Sequence, residues 1–362
     1  MRAAVGVLVV CVWAALTVGC APRPAPAPDP MTGEWPIGPP AAHGLDSARL
    51  SALVDRIAGG RYGAVNGLLV ARHGVLVLER YFRGYGPDEL RPLESVTKSV
   101  ASALVGLAVD DGRIASLDAA VCDVLPAYAD LCAADPGKRA ISLAHVLTMT
   151  AGLAWDEESP PGHGPEERTD WMRVVLRQPL VDPPGTRFRY SSGSALLLSG
   201  LLERVYGVSA VQVASRHLFG PLGITRYVWL PLGDGLTPTG GGLALRPRDL
   251  AKLGQLFLDS GTFRGRRILS AGWVRRSTSA HLTLPRGSRY GYLWRLPPEF
   301  ALEGVPLLRD AYYAGGFGDQ FLFVLPSAGV VVVVTAENYA ARRIDPDAFL
   351  TNEVVPVIQG GR

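Results

Sequence analysis

The chain has 362 residues, of which 48% are hydrophobic and 19% charged, and its formal net charge is +3. That balance describes a globular protein and excludes a disordered one. The arginines are scattered, with short pairs such as Arg266-Arg267, Arg275-Arg276 and Arg342-Arg343, so nucleic-acid binding has no compositional support.

The first residues read as an export signal. Arg2 precedes an apolar stretch from Ala3 to Val18. It ends at Thr17-Val18-Gly19-Cys20, which resembles a bacterial lipobox with Thr17 where leucine is usual. The preferred expectation is a lipoprotein-type signal over residues 1–19 and a lipidated Cys20 that ties the protein to a membrane. A cleaved secretory signal and an uncleaved anchor are the competing readings. All three place the folded part outside the cytoplasm, in the periplasm or on an outer membrane face. Residues 20–44 carry Pro22, Pro24, Pro26, Pro28 and Pro30, which favour an extended, coreless linker.

The folded domain is expected over residues 45–345. Leu45 to Ile57 has helical spacing. Asn66 to Arg72 and Val75 to Tyr81, separated by His73-Gly74, read as a hairpin. Ser95 opens an apolar helix that continues to Asp111-Gly112. Residues from about 113 to 235 alternate short helical patterns with Pro/Gly turns, at Ser142–Met149, Thr169–Arg177 and Ser194–Val205. After the glycine cluster Gly240 to Gly242 comes a helix from Arg246 to Asp259. Strands are predicted at Tyr290–Leu296, Ala311–Gly315, Gln320–Leu325 and Val330–Thr335, the last buried on both faces. A C-terminal helix over 346–362 closes the chain, beginning near Asp345 and packed on the domain. Strands from both ends therefore form one antiparallel sheet flanked by helices, around a mainly helical insert: an α/β (α+β) arrangement.

Cys122 and Cys132 would share an oxidising compartment, where a local disulfide and two free buried thiols are both open readings. The six histidines are dispersed, with no His-Glu-x-x-His and no Cys-x-x-Cys. No metal or other cofactor is expected, and the oligomeric state is not legible.

Three segments carry candidate chemistry. The 36 basic residues are 33 arginines and only three lysines, and one of these, Lys98, follows Ser95 by three positions at a helix start. Residues so spaced share a helix face. A lysine can act as a base where arginine cannot, and a serine hydroxyl needs such a neighbour to become nucleophilic. The second segment is Arg189-Tyr190-Ser191-Ser192-Gly193, preceded by Pro184-Gly185-Thr186. The third is Ala314-Gly315-Gly316-Phe317-Gly318-Asp319-Gln320, where glycines let a ligand approach a strand edge. Taken singly, each has a bland competitor: chance spacing, a core tyrosine, a simple turn.

Their order and spacing resemble the serine β-lactamase and penicillin-binding protein superfamily, nearest its class C-like esterase and 6-aminohexanoate-dimer hydrolase branch. His145-Val-Leu-Thr-Met-Thr-Ala-Gly-Leu153, Tyr190-Ser191-Ser192-Gly193 and Gly241-Gly242-Leu243-Ala244 followed by Asp249-Leu250 extend the likeness over about residues 45 to 345. The resemblance implies a β-lactamase/transpeptidase-like fold with Ser95 as the acylated nucleophile. Lys98 would take its proton and Tyr190 would relay protons. Backbone N–H groups of Ser95 and Phe317 would form the oxyanion hole. Ser192, Gly315 and Gly316 would line the substrate. Two departures stand out. Ser192 replaces the usual asparagine, and Ala314-Gly315-Gly316 replaces Lys-Thr-Gly or His-Thr-Gly. The expected activity is hydrolysis of an ester, amide or peptide without the carboxylate that the missing lysine would engage. A β-lactamase or D,D-carboxypeptidase and a non-catalytic cell-envelope binding protein are the alternatives.

Overall fold

The computed structural model describes residues 35–159, 170–299 and 305–361. Cys20, the signal over 1–19 and most of the proline-rich segment lie outside the described residues. Within residues 35–44 the linker expectation is corrected. Trp35 is buried, its indole Nε1 donates to the Gly74 carbonyl at 2.7 Å, and Ile37 bridges Leu76. A 3-10 turn over Pro40–His43 follows. The domain therefore includes residues from Trp35 onward: the stretch up to Pro39 stays extended, but the buried indole and backbone pairing of Pro36 and Gly38 with Leu76 dock it on the fold.

Helix α1 (Ser47–Ala58) starts at Asp46, whose carboxylate accepts the N–H groups of Ala48 and Arg49. Strands β1 (Val65–Arg72) and β2 (Val75–Tyr81) form the expected hairpin. His73 and Gly74 both take positive φ, 47° and 80°, the pairing that suits the twist of a two-residue hairpin. Short strand β3 (Arg91–Pro92) leads into α2 (Val96–Asp110), which is buried all round from Val96 to Ala108.

The insert contains α3 (Val121–Val124), α4 (Ala129–Ala134), α5 (Leu143–Leu147), α6 (Trp171–Arg177), α7 (Ser192–Tyr206) and α8 (Ala210–Val213). Cys122 on α3 and Cys132 on α4 are disulfide-bonded, their Cα atoms 6.0 Å apart. Beyond it lie β4 (Tyr227–Trp229), β5 (Leu243–Leu245), α9 (Pro247–Leu258), the small β6–β7 hairpin (Thr262–Phe263, Arg266–Arg267) and α10 (Ala271–Thr278). A three-stranded sheet ordered β3-β5-β4 was not expected. It carries the Leu93 N–H to the Leu243 carbonyl at 2.8 Å, and so draws the Gly240–Gly242 loop up to the start of α2.

The remaining strands are β8 (Leu282–Thr283), β9 (Arg289–Tyr290), β10 (Arg295–Leu296), β11 (Tyr312–Gly316), β12 (Gln320–Leu325) and β13 (Val330–Ala336). The main sheet runs β2-β1-β13-β12-β11-β10-β9-β8, so the N-terminal hairpin pairs with the last strand. The single strand expected over 290–296 is instead two short strands around a turn. That turn is held from outside the sheet: Leu293 donates to the Leu147 carbonyl at 3.0 Å, and Ser99 Oγ donates to the Leu293 carbonyl at 2.6 Å.

Strand β13 is buried throughout. Val330, Val332 and Val334 join Leu50, Leu53 and Ile57 of α1 in one core, together with the C-terminal helical segment. Val331 faces α9 on the opposite side. That segment is α11 (Pro346–Phe349), a π-helical turn over Leu350–Val354 and α12 (Val355–Gln359), not one uniform helix.

Candidate active site

The nucleophile candidate is delivered by a strained turn. Glu94 has φ of 50°, an uncommon conformation for a non-glycine residue that surrounding structure must hold in place. Ser95 stands at the N-cap of α2, yet its side chain makes no capping hydrogen bond. A serine there ordinarily satisfies a backbone N–H of the first turn; here its hydroxyl faces Lys98. Lys98 lies one turn further on, only 2% exposed. Its Nζ is 2.8 Å from Ser95 Oγ, 2.9 Å from Ser192 Oγ and 2.5 Å from the Gly240 carbonyl oxygen. The Tyr190 ring stands 4.9 Å from the same nitrogen.

Tyr190 and Ser192 arrive on the segment that enters α7. Ser191 caps that helix, its Oγ accepting the Ser194 N–H at 2.8 Å, which leaves Ser192 to face the lysine. Upstream, Arg189 pairs with Asp182 at 2.8 Å and donates its N–H to the Met149 carbonyl, so the approach to Tyr190 is tied down. The Glu157 carboxylate reaches the same place. It accepts the Ser192 N–H at 2.6 Å and the Ser192 hydroxyl at 2.7 Å.

The end of β11 closes the other wall. A Cβ on Gly316 would lie 2.4 Å from the Leu93 carbonyl, so only glycine allows the strand to approach the turn bearing Ser95 this closely. Phe317 follows, 64% exposed, with its ring 5.4 Å from that of Tyr339. Asp319 fixes the turn, its buried carboxylate accepting from Asn338 Nδ2 and from the N–H groups of Arg343 and Ile344.

Ser95, Tyr190, Ser192, Gly315, Gly316 and Phe317 thus border one cleft of about 1110 Å³, and Lys98 lies beneath it against Ser95, Tyr190 and Gly315. Cys20 lies outside the described residues. The cleft also takes in residues that the sequence reading does not mark as site residues, Glu94, Glu157, Gly240 and Arg295 among them. Burial pushes the Glu94 carboxyl up, while Lys98 in its protonated form and a Tyr339 hydrogen bond pull it back. Arg295 comes from β10, opposite Tyr313, and its guanidinium lies 5.5 Å from the Tyr190 ring centre. Among the described residues it makes no ion pair. The glycine cluster was visible in sequence, but nothing local marked Glu157 or Arg295. No group of three or more His, Cys, Asp and Glu side chains among the described residues could hold a metal ion.

An antiparallel sheet built from both chain ends, a helical insert, and a serine–lysine pair at a buried helix start define the β-lactamase/transpeptidase class of fold. A profile of the Beta-lactamase family matches residues 50–350, and the chain belongs to that family. It is 28% identical over 221 residues to the 6-aminohexanoate-dimer hydrolase of Paenarthrobacter ureafaciens, a match covering 57% of this chain and 55% of that protein. The chain therefore spans little more than half the length of that curated relative. Among solved structures, a putative 6-aminohexanoate-dimer hydrolase from Bacillus anthracis superposes with a TM-score of 0.71 at 18% identity, covering 90% of this chain and 87% of that one. A family VIII carboxylesterase gives 0.66 at 19% identity, covering 91% and 98%. At such identities the likeness shows the fold.

Proposed function

We propose that the protein is a serine hydrolase that cleaves an ester or amide through an acyl-enzyme on Ser95. The observation that carries this reading is the 2.8 Å contact between Lys98 Nζ and Ser95 Oγ, made by a buried lysine at a helix start. Ser95 Oγ attacks the substrate carbonyl carbon as Lys98 takes its proton, and the carbonyl π pair moves onto oxygen. The N–H groups of Ser95 and Phe317 receive that oxyanion, a form of preorganised stabilisation on the order of 3 kcal/mol per donor. Collapse expels the alcohol or amine, which takes the proton by way of Tyr190. Water then attacks the acyl carbon, gives its proton back through the same groups and releases the acid.

The cleft supports a substrate with substantial apolar surface, since Trp155, Trp171, Leu232 and Phe317 wall it. A relative named 6-aminohexanoate-dimer hydrolase and a solved structure named carboxylesterase support an amide or ester substrate. Incubation with a fluorophosphonate should label wild type and leave Ser95→Ala unlabelled; equal labelling of both overturns the assignment.

Arg295 favours a second reading. It brings a cation to the Gly315 edge, where the third-motif lysine is lacking, and would serve a substrate bearing a carboxylate, as β-lactams and cell-wall peptides do. Turnover of a chromogenic cephalosporin against neutral nitrophenyl esters separates the two. Cephalosporin turnover that Arg295→Ala abolishes, with ester turnover retained, would establish the acidic substrate class. The amino-terminal residues support export and a lipid anchor at Cys20, a reading drawn from residues 1–20 alone.

A further inference from the structure

We infer that Glu157 is a positioning residue that sets the direction of the proton on Ser192 and thereby aims the Lys98 lone pair at Ser95. The inference rests on the acyl-enzyme reading above. A carboxylate can only accept, whereas a serine hydroxyl has one proton to give. Glu157 stands 2.7 Å from Ser192 Oγ, so the Ser192 proton is committed to Glu157. Ser192 Oγ must then accept from Lys98, 2.9 Å away. The Gly240 carbonyl, an obligate acceptor, takes a second Lys98 N–H. A neutral amine has two N–H groups, and both are now assigned. Its lone pair is left to the remaining neighbour, Ser95 Oγ, at 2.8 Å. Proton transfer from Ser95 Oγ to that lone pair yields an ammonium with three donors for the same three oxygens, so neither protonation state requires the side chain to move.

Glu157 is itself held in place. Its second oxygen accepts the Ser192 N–H, one of the unsatisfied amides at the start of α7, where a negative charge is favoured. Asp156 accepts the N–H groups of Glu158 and Ser159, which fixes the turn around it. The Trp155 ring packs on Gly193, where an added Cβ would meet it at 2.2 Å, clamping the loop to the helix start. Without the carboxylate, Ser192 is free to donate its proton to Lys98 and compete with Ser95 for the lone pair.

The test is a double-mutant cycle between Glu157→Gln and Ser192→Ala, read as the second-order rate of fluorophosphonate labelling, with thermal melts as a folding control. Glu157→Gln replaces one acceptor by an NH₂ donor. It is expected to slow labelling by about 10- to 100-fold, at or below the low end of the roughly 10²- to 10⁴-fold that general-base catalysis supplies, since the base itself remains, and to lower kcat with KM little changed. In the Ser192→Ala background the same substitution should cost nothing further, because the hydroxyl it orients is gone. The backbone N–H contact persists in that background, so an equal loss there would assign Glu157 a structural role and overturn the inference, as would wild-type labelling by Glu157→Gln alone. An unlabelled wild-type protein would instead remove the acyl-enzyme reading, and the positioning role with it.

Discussion

Lys98 Nζ and the carbonyl oxygen of Gly240 lie 2.5 Å apart, although 142 positions separate them in the chain. The contact exists because β3 and β5 pair, carrying the glycine loop onto the first turn of α2. It makes Gly240 a direct partner of the lysine, and the absence of a side chain there is required by space. A Cβ would lie 2.7 Å from the Ser192 carbonyl oxygen and 3.3 Å from its Cβ. Gly240→Ala must therefore push the loop away from α7 and withdraw the carbonyl from Lys98. We expect kcat to fall by about 10-fold or more with KM little altered, since misplacing a catalytic group by a fraction of an ångström is costly. Steady-state kinetics on an ester substrate, with a thermal melt alongside, measures it.

The bond between Cys122 and Cys132 closes a loop within the insert, their sequence separation being 10. Loop-closure entropy assigns such a crosslink about 2.7 kcal/mol, in a model-dependent way. Reduction, or the Cys122→Ser variant, should lower the melting temperature while leaving Ser95 labelling intact at 25 °C. Calorimetry with and without reductant provides the comparison, and loss of labelling along with the bond would show that the crosslink holds the cleft-lining part of the insert in place.

Asp347 gives the fold a pH dependence. Burial, with Asp345 adding to it and Arg295 opposing it, pushes its carboxyl from the ordinary 3.8 up to about 6. An acid raised in this way favours the native state while protonated. Its contribution is complete below about pH 4 and is lost as pH rises through about 6. Asp347→Asn should therefore be more stable than wild type at pH 8, on the order of 1 kcal/mol after allowing for partial solvent screening. The two should melt together near pH 3.5. Urea titrations at both pH values test the sign.

The amino terminus carries its own test. Cys20→Ala in the full chain should move the protein from the membrane pellet to the soluble fraction and abolish metabolic labelling by a palmitate analogue. Retention in the pellet without acyl label would favour an uncleaved anchor over residues 3–18.

Much of the architecture was legible because its cause is local. Three-residue spacing puts Ser95 and Lys98 on one helix face whatever surrounds them. The His73-Gly74 turn specifies a hairpin, and unbroken valines from Val330 to Val334 specify a strand covered on both sides. Tyr190, Ser192 and the Gly315-Gly316 edge were legible through resemblance, and the structure brings all of them to one cleft.

What the amino-acid order alone determined, then, was the chemistry available and the elements that carry it: a lone lysine behind a serine, a tyrosine before a helix, a glycine edge without its lysine. Tertiary structure decided the partners. Strands of two or three residues such as β3 and β5 leave no periodic trace, so the pairing that brings Gly240 to Lys98 could not be read. Val75 to Tyr81 kept its predicted form, whereas Tyr290 to Leu296 broke into a turn because Ser99 and Leu147, distant in sequence, claim the backbone groups of Leu293. Glu157 and Arg295 are ordinary charged residues along the chain. They acquire a role only where packing sets one against Ser192 and the other beside Tyr190, since a hydrogen bond or a charge contact is defined by ångströms, not by sequence spacing.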